Sequence, residues 1–87
     1  MAIEKLLNDI GIKVFIEYFQ YFKNNNLNAD DIIEILPDSY TEKSRKSRTS
    51  KARRLIRENR ELEALNYILK SKRISQELKD IATKTIQ

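Results

Sequence analysis

The chain of 87 residues contains no cysteine and no histidine, and it has only one glycine and one proline. Without cysteine or histidine it lacks disulfide bonds, thiolate chemistry and the usual zinc ligands. The same absence removes the commonest general base and every Ser-His or Cys-His nucleophile, so we expect no enzyme, no metal site and no cofactor. So little glycine and proline leaves almost no material for hairpin turns, and this scarcity favours helices.

Long apolar runs are missing as well. No run approaches the roughly 18–20 residues that span a bilayer, and residues 1–4 show neither the basic head nor the apolar stretch of a signal peptide. We therefore expect a cytoplasmic protein without membrane contact. A composition of 40% hydrophobic and 34% charged residues is typical of a soluble globular chain. The length predicts a single domain over residues 1–87, and the scarcity of glycine and proline indicates that this domain is helical.

Apolar side chains recur at helical spacing along most of the chain. They predict an all-α fold, a compact bundle of five to six short helices. The segment 12–23 is the most apolar and holds all three phenylalanines, so we expect it to form the centre of the core. Asn28 is a predicted N-cap, and the helix after it should stop at Pro37. Further helices are predicted up to about Asn59, around 62–69 and after Ser75. The predicted apolar face of the second consists of Leu62, Leu65, Ile68 and Leu69, with Ala64 and Tyr67 beside it. The last helix should carry Leu78, Ile81, Ala82 and Thr85 or Ile86 on one side.

One segment, residues 43–57, stands apart by its charge. Eight of its fifteen residues are Lys or Arg and none is acidic, so this segment carries +8 while the other 72 residues sum to −4. We call it the basic segment. Small hydroxyl residues alternate with its cations, and they are indifferent helix formers with little structural justification. Such a concentration of positive charge predicts binding to a polyanion.

A helical wheel divides the basic segment into two sides. Ala52, Leu55 and Ile56 share one side, and Arg45 and Arg48 prolong that apolar line. An arc of roughly 120° on the opposite side holds Lys43, Lys46, Ser47, Ser50, Arg53, Arg54 and Arg57. Since no apolar side chain anchors the N-terminal half, we expect that half to protrude beyond the core. It should either make base contacts or be disordered when no partner is bound.

Arg and Lys neutralise phosphates and contact base edges, and Ser or Thr can contact either. We therefore predict nucleic-acid binding, with duplex DNA favoured over RNA, as in a small transcriptional or mobile-element regulator. The alternative is an interaction module or inhibitor that docks the basic helix on an acidic protein partner. A solvated charged surface and a membrane-surface contact are the remaining interpretations. The oligomeric state stays open, a dimer included. The predicted nucleic-acid-binding residues are Lys43, Arg45, Lys46, Ser47, Arg48, Ser50, Lys51, Arg53, Arg54 and Arg57.

The order of elements around the basic segment is also informative. A short capped helix at 29–36, a turn at Pro37-Asp38 and a basic helix loosely resemble a helix-turn-helix arrangement. In that arrangement the first helix would support the basic helix, and the basic helix would enter a DNA groove. The start of the basic helix is uncertain, because Ser39, Thr41 and Ser44 are all suitable N-caps. A late start would make the connection longer than in the compact motif.

Overall fold

The computed structural model describes residues 2–86, and these residues form seven α-helices and no strand. The all-α prediction is confirmed, with one helix more than the upper expected number. The helices are α1 (Ile3–Ile10), α2 (Ile12–Glu17), α3 (Phe19–Lys23), α4 (Ala29–Ile35), α5 (Glu42–Arg57), α6 (Glu61–Lys70) and α7 (Gln76–Ile86). None of them, within residues 2–86, combines the length and apolarity that crossing a membrane would need.

The additional helix arises at Tyr18, where the predicted continuous helix 12–23 is interrupted. Tyr18 has φ −110° and ψ 14°, outside the helical region, although its N–H still donates to the carbonyl of Val14. The interruption separates α2 from α3. Phe15 and Phe19 lie on either side of it, and their rings meet edge to face with centroids 5.4 Å apart.

All seven helices contribute side chains to one hydrophobic core. Phe15 and Phe19 are fully buried and Phe22 nearly so, which confirms the aromatic segment as a central part of the core. Tyr21 is the exception in that segment, with 42% of its surface exposed. The other helices contribute mainly Leu6, Leu7, Ile10, Ile32, Ala52, Leu55, Ala64, Leu65, Ile68, Ala82 and Ile86.

Side-chain caps determine where α4 and α5 begin. Asn28 and Asp31 form a reciprocal capping box at the start of α4, as the N-cap prediction implied. For α5, the hydroxyl of Thr41 accepts a hydrogen bond from the N–H of Ser44 at 3.1 Å, so Thr41, and not Ser39, is the N-cap. The connection between α4 and α5 therefore covers residues 36–41.

The end of α5 is a Schellman motif. The N–H of Arg60 donates to the carbonyl of Leu55 at 3.1 Å, and the N–H of Asn59 donates to that of Ile56 at 2.9 Å. Asn59 takes the left-handed conformation that this motif requires, with φ 58°. The helix break predicted at Asn59 is thus confirmed.

The buried face of α6 differs in part from the expected one. Of the four residues predicted to form the apolar face, Leu65 and Ile68 are buried, but Leu62 and Leu69 are 62% and 39% exposed. Ala64, predicted beside that face, is fully buried. The helix packs against α1 and α7, and this double contact turns the neighbouring face, with its small alanine, inward. In α7, Ile81 is likewise 39% exposed.

Candidate functional site

The basic segment lies entirely within α5, which packs along α1, α3 and α4. The expectation that its N-terminal half protrudes is wrong. Thr49 is 1% exposed, and Arg45 and Arg48 are half-buried. Long arginine side chains take the place of apolar anchors there, because their stems cover apolar surface while their guanidinium groups reach backbone carbonyls.

Arg48 makes the most extensive of these contacts. Its Nη1 donates to the carbonyl of Ile10, the last residue of α1, and its Nε donates to the hydroxyl of Ser44 at 3.0 Å. The guanidinium also lies over the ring of Tyr40, 4.2 Å from the centroid. Arg48 thereby connects the end of α1 with the residues that precede α5.

Arg45 and Arg53 reach other chain segments in the same way. Arg45 Nη1 donates to the carbonyl of Ile33, in the last turn of α4, at 3.0 Å. Arg53 Nη2 donates to the carbonyls of Leu27 and Asn24, which belong to the turn that follows α3, the latter at 3.1 Å. Each arginine therefore binds carbonyls at or just beyond the end of a different helix.

Lys51 completes this set through an ion pair. Its Nζ lies 3.2 Å from Oδ2 of Asp9, and both side chains are about one third exposed. Asp9 stands in the last turn of α1, where the helix dipole disfavours negative charge. The lysine compensates for that unfavourable position and fastens α1 to α5 a second time.

These four residues, Arg45, Arg48, Lys51 and Arg53, are the inner cations. Helix C-termini leave carbonyls without partners inside the helix, and their dipoles favour positive charge. The three arginines satisfy both requirements at once, and Lys51 supplies positive charge beside the end of α1. Four of the eight cations in the basic segment therefore stabilise the fold, a role that the excess of positive charge does not predict.

The other six predicted site residues form a continuous solvent-facing strip on α5, which we call the outer face. All six are exposed. Their positions fall within an arc of roughly 100° and extend over about 21 Å of helix. The outer face consists of Lys43, Lys46, Ser47, Ser50, Arg54 and Arg57.

Two of the outer cations have acidic neighbours. Lys46 lies 3.6 Å from Glu42, and Arg54 lies 3.1 Å from Glu58. All four side chains are more than 40% exposed, so these pairs contribute little to stability and a stronger anion can replace either carboxylate. The side chains of Lys43 and Arg57 form no ion pair or hydrogen bond with any other residue in the range 2–86.

A small network of charges borders the C-terminal end of the outer face. The hydrogen bond from Arg54 lowers the pKa of the Glu58 carboxyl. The hydrogen bond from Arg60 likewise lowers the pKa of Glu63, and the same contact raises the pKa of Arg60. These carboxylates stay ionised at neutral pH and limit the cationic surface at this end of the helix.

Sequence reasoning missed two residues that serve this surface. Tyr40 supports Arg48, and nothing in the local pattern distinguishes it from a loop tyrosine. Lys23, in the last turn of α3, lines a cleft together with Arg53 and Arg57. Lys23 is far from the basic segment in the sequence, so no sequence signal indicates that it lies near Arg53 and Arg57 in space.

Comparisons of the chain with protein-family models, curated proteins and solved structures find no match.

Proposed function

We propose that the protein binds nucleic acid, and duplex DNA first of all, through the outer face of α5. The observation that carries this proposal is the separation of cations on one helix. Four of them serve the fold, whereas Lys43, Lys46, Arg54 and Arg57 remain directed to solvent on a single strip. A solvated helix face without a ligand has no need for this concentration of like charge, which weakens the helix.

The polar residues of the strip suit the same ligand. Ser47 and Ser50 lie between the cations and can donate to phosphate or contact base edges. The strip extends over about 21 Å of a single α-helix, and the major groove of duplex DNA is wide enough to admit an α-helix. We propose that α4 supports α5 in a helix-turn-helix-like pair, with α5 as the helix that enters the groove.

The test is a titration of a fluorescein-labelled random-sequence duplex of about 20 base pairs, followed by anisotropy at several salt concentrations. If the four outer cations each neutralise one phosphate, log K should fall with log salt with a slope of about −3.6. Undetectable binding at low salt would refute the proposal.

A pair of double variants separates the outer face from net charge. Arg54→Gln with Arg57→Gln should make the slope less negative by about 1.8, because two phosphate contacts are lost. Lys70→Gln with Lys72→Gln removes the same charge from exposed positions at the end of α6 and just beyond it, and it should leave the slope nearly unchanged. Equal effects of the two double variants would contradict a localised interface. If the protein bound an acidic polypeptide but neither duplex nor single-stranded nucleic acid, the result would favour a protein partner.

A further inference from the structure

A second cationic feature lies beside the outer face. A cleft opens between the end of α3, the C-terminal turns of α5 and the start of α6. Phe22 and Ile56 form its apolar part. Its polar lining consists of Lys23, Asn25, Arg53, Arg57, Asn59 and Glu61, and we call it the Lys23 cleft.

The charges of this cleft are unbalanced. Three cations face one carboxylate, that of Glu61, whose Oε1 atom is buried and accepts no hydrogen bond from residues 2–86. Lys23 and Arg57 form no ion pair within the described chain. Cations that converge on a cleft repel one another, and an anion bound between them removes that repulsion.

One of the three cations is already fixed in place. Arg53 is held through Nη2 by the carbonyls of Asn24 and Leu27, while its Nε and Nη1 donate to no acceptor among residues 2–86. The side chains of Asn25 and Asn59 add neutral donors on either side, and the turn that ends α5 fixes the backbone of Asn59. A partly immobilised guanidinium with spare N–H groups loses less conformational entropy on binding an oxyanion.

We propose that the Lys23 cleft binds a phosphate group through Lys23, Arg53 and Arg57, with Asn25 and Asn59 as neutral donors. The inference rests on the proposed function, because the phosphate is assigned to the backbone of the same nucleic acid. Arg57 belongs both to the outer face and to the cleft. A nucleic-acid strand that lies along α5 would therefore reach the cleft at this residue. The interface then extends beyond the basic helix to α3.

Two measurements test the cleft separately from the outer face. In the first, inorganic phosphate is titrated into ¹⁵N-labelled protein. Saturable amide shifts are expected only around residues 23–25, 53 and 57–61, and Lys23→Gln should weaken phosphate binding about tenfold. Lys70→Gln is the matched control, since Lys70 is also an exposed lysine in the last turn of a helix, and it should have no effect.

In the second, duplex binding of the same variants is followed against salt. Lys23→Gln should make the slope of log K less negative by about 0.9, and Lys70→Gln should leave it unchanged. Phosphate shifts scattered over all exposed lysines, or identical slopes for both variants, would overturn the cleft proposal. If the wild-type protein binds duplex and Lys23→Gln leaves the slope of log K unchanged, only the cleft proposal is refuted and the proposed function stands. Phosphate binding in the cleft without any binding of nucleic acid supports the phosphate site and refutes the proposed function.

Discussion

Replacing Arg48 should destabilise the fold more than replacing any outer cation. Arg48→Gln removes the charged donor to the Ile10 carbonyl, the contact with Ser44 and the cation over Tyr40. A hydrogen bond from a charged group contributes about 1.5–3 kcal/mol and a partly exposed cation–π contact about 0.5–1 kcal/mol. These contributions overlap, so we expect a loss of about 2–4 kcal/mol in the free energy of unfolding.

Urea unfolding followed by circular dichroism at 222 nm measures this loss directly. In thermal unfolding, the melting temperature of a chain of this size should fall by roughly 8–32 °C, at about 4–8 °C per kcal/mol. Lys46→Gln, two residues earlier on the outer face, removes the same charge from an exposed ion pair and should change stability by less than about 0.5 kcal/mol.

A charge-conserving variant separates geometry from charge. Arg48→Lys keeps the cation, yet an ammonium cannot stack flat on Tyr40 while donating to both Ile10 and Ser44, so most of the loss should persist. The reasoning is refuted if Arg48→Gln and Lys46→Gln unfold at the same urea concentration.

Three further predictions concern the same contacts and their surroundings. Gly11→Ala should lower the free energy of unfolding by about 1–3 kcal/mol in urea, because Gly11 has φ +90° and a Cβ there would lie 2.5 Å from Arg48 Nη1. The double variant with Arg48→Gln should lose less than the sum of the two single losses, and strict additivity would contradict the contact. Thr49→Val should be neutral or stabilising by up to about 1 kcal/mol in calorimetry, since the buried Thr49 hydroxyl has no hydrogen-bond partner among residues 2–86; a clear loss would reveal an unrecognised partner. The hydrogen bond from Arg54 lowers the pKa of Glu58, so ionised Glu58 stabilises the native state above the pKa that this carboxyl has in the unfolded chain, and the contribution is lost as pH falls through the lower native pKa. Glu58→Gln should therefore make stability depend less on pH in the acidic range, and an unchanged dependence there would contradict this assignment.

The order of the helices was largely predictable because local rules determine it. Asn28 caps α4 through its own side chain, and Asn59 ends α5 by adopting a left-handed conformation, so both signals lie within a few residues of the boundary. The break at Tyr18 was not predictable in this way. Its neighbours are good helix formers or core residues, and the interruption depends on packing that the local sequence does not contain.

The use of the basic segment was only half predictable. The helical wheel placed Arg45 and Arg48 on the apolar side, and they do face the interior. Their role is hidden in the sequence because hydropathy treats arginine only as polar, whereas its partners are carbonyls at helix ends as many as 38 positions away in the chain. The absence of an apolar anchor therefore predicted protrusion where the chain uses hydrogen bonds instead.

For α6, several faces of the helix carry apolar side chains, and periodicity could not decide among them. Leu62, Leu65 and Leu69 fit one face, while Ala64, Leu65 and Ile68 fit another. Only contact with both α1 and α7 selects the second face. Tertiary contacts thus determine the orientation of a helix whose existence the sequence pattern predicts.

The division of α5 into inner cations and an outer face is tested most directly by mapping amide shifts during titration with duplex DNA. At low salt, ¹⁵N-labelled protein should show saturable shifts along the strip that runs from Lys43 through Ser50 to Arg57. The amides of α6 beyond its first turn and of the solvent side of α7 should remain unaffected. Shifts centred on α6 or α7, or a spectrum that the duplex leaves unchanged, would contradict the account.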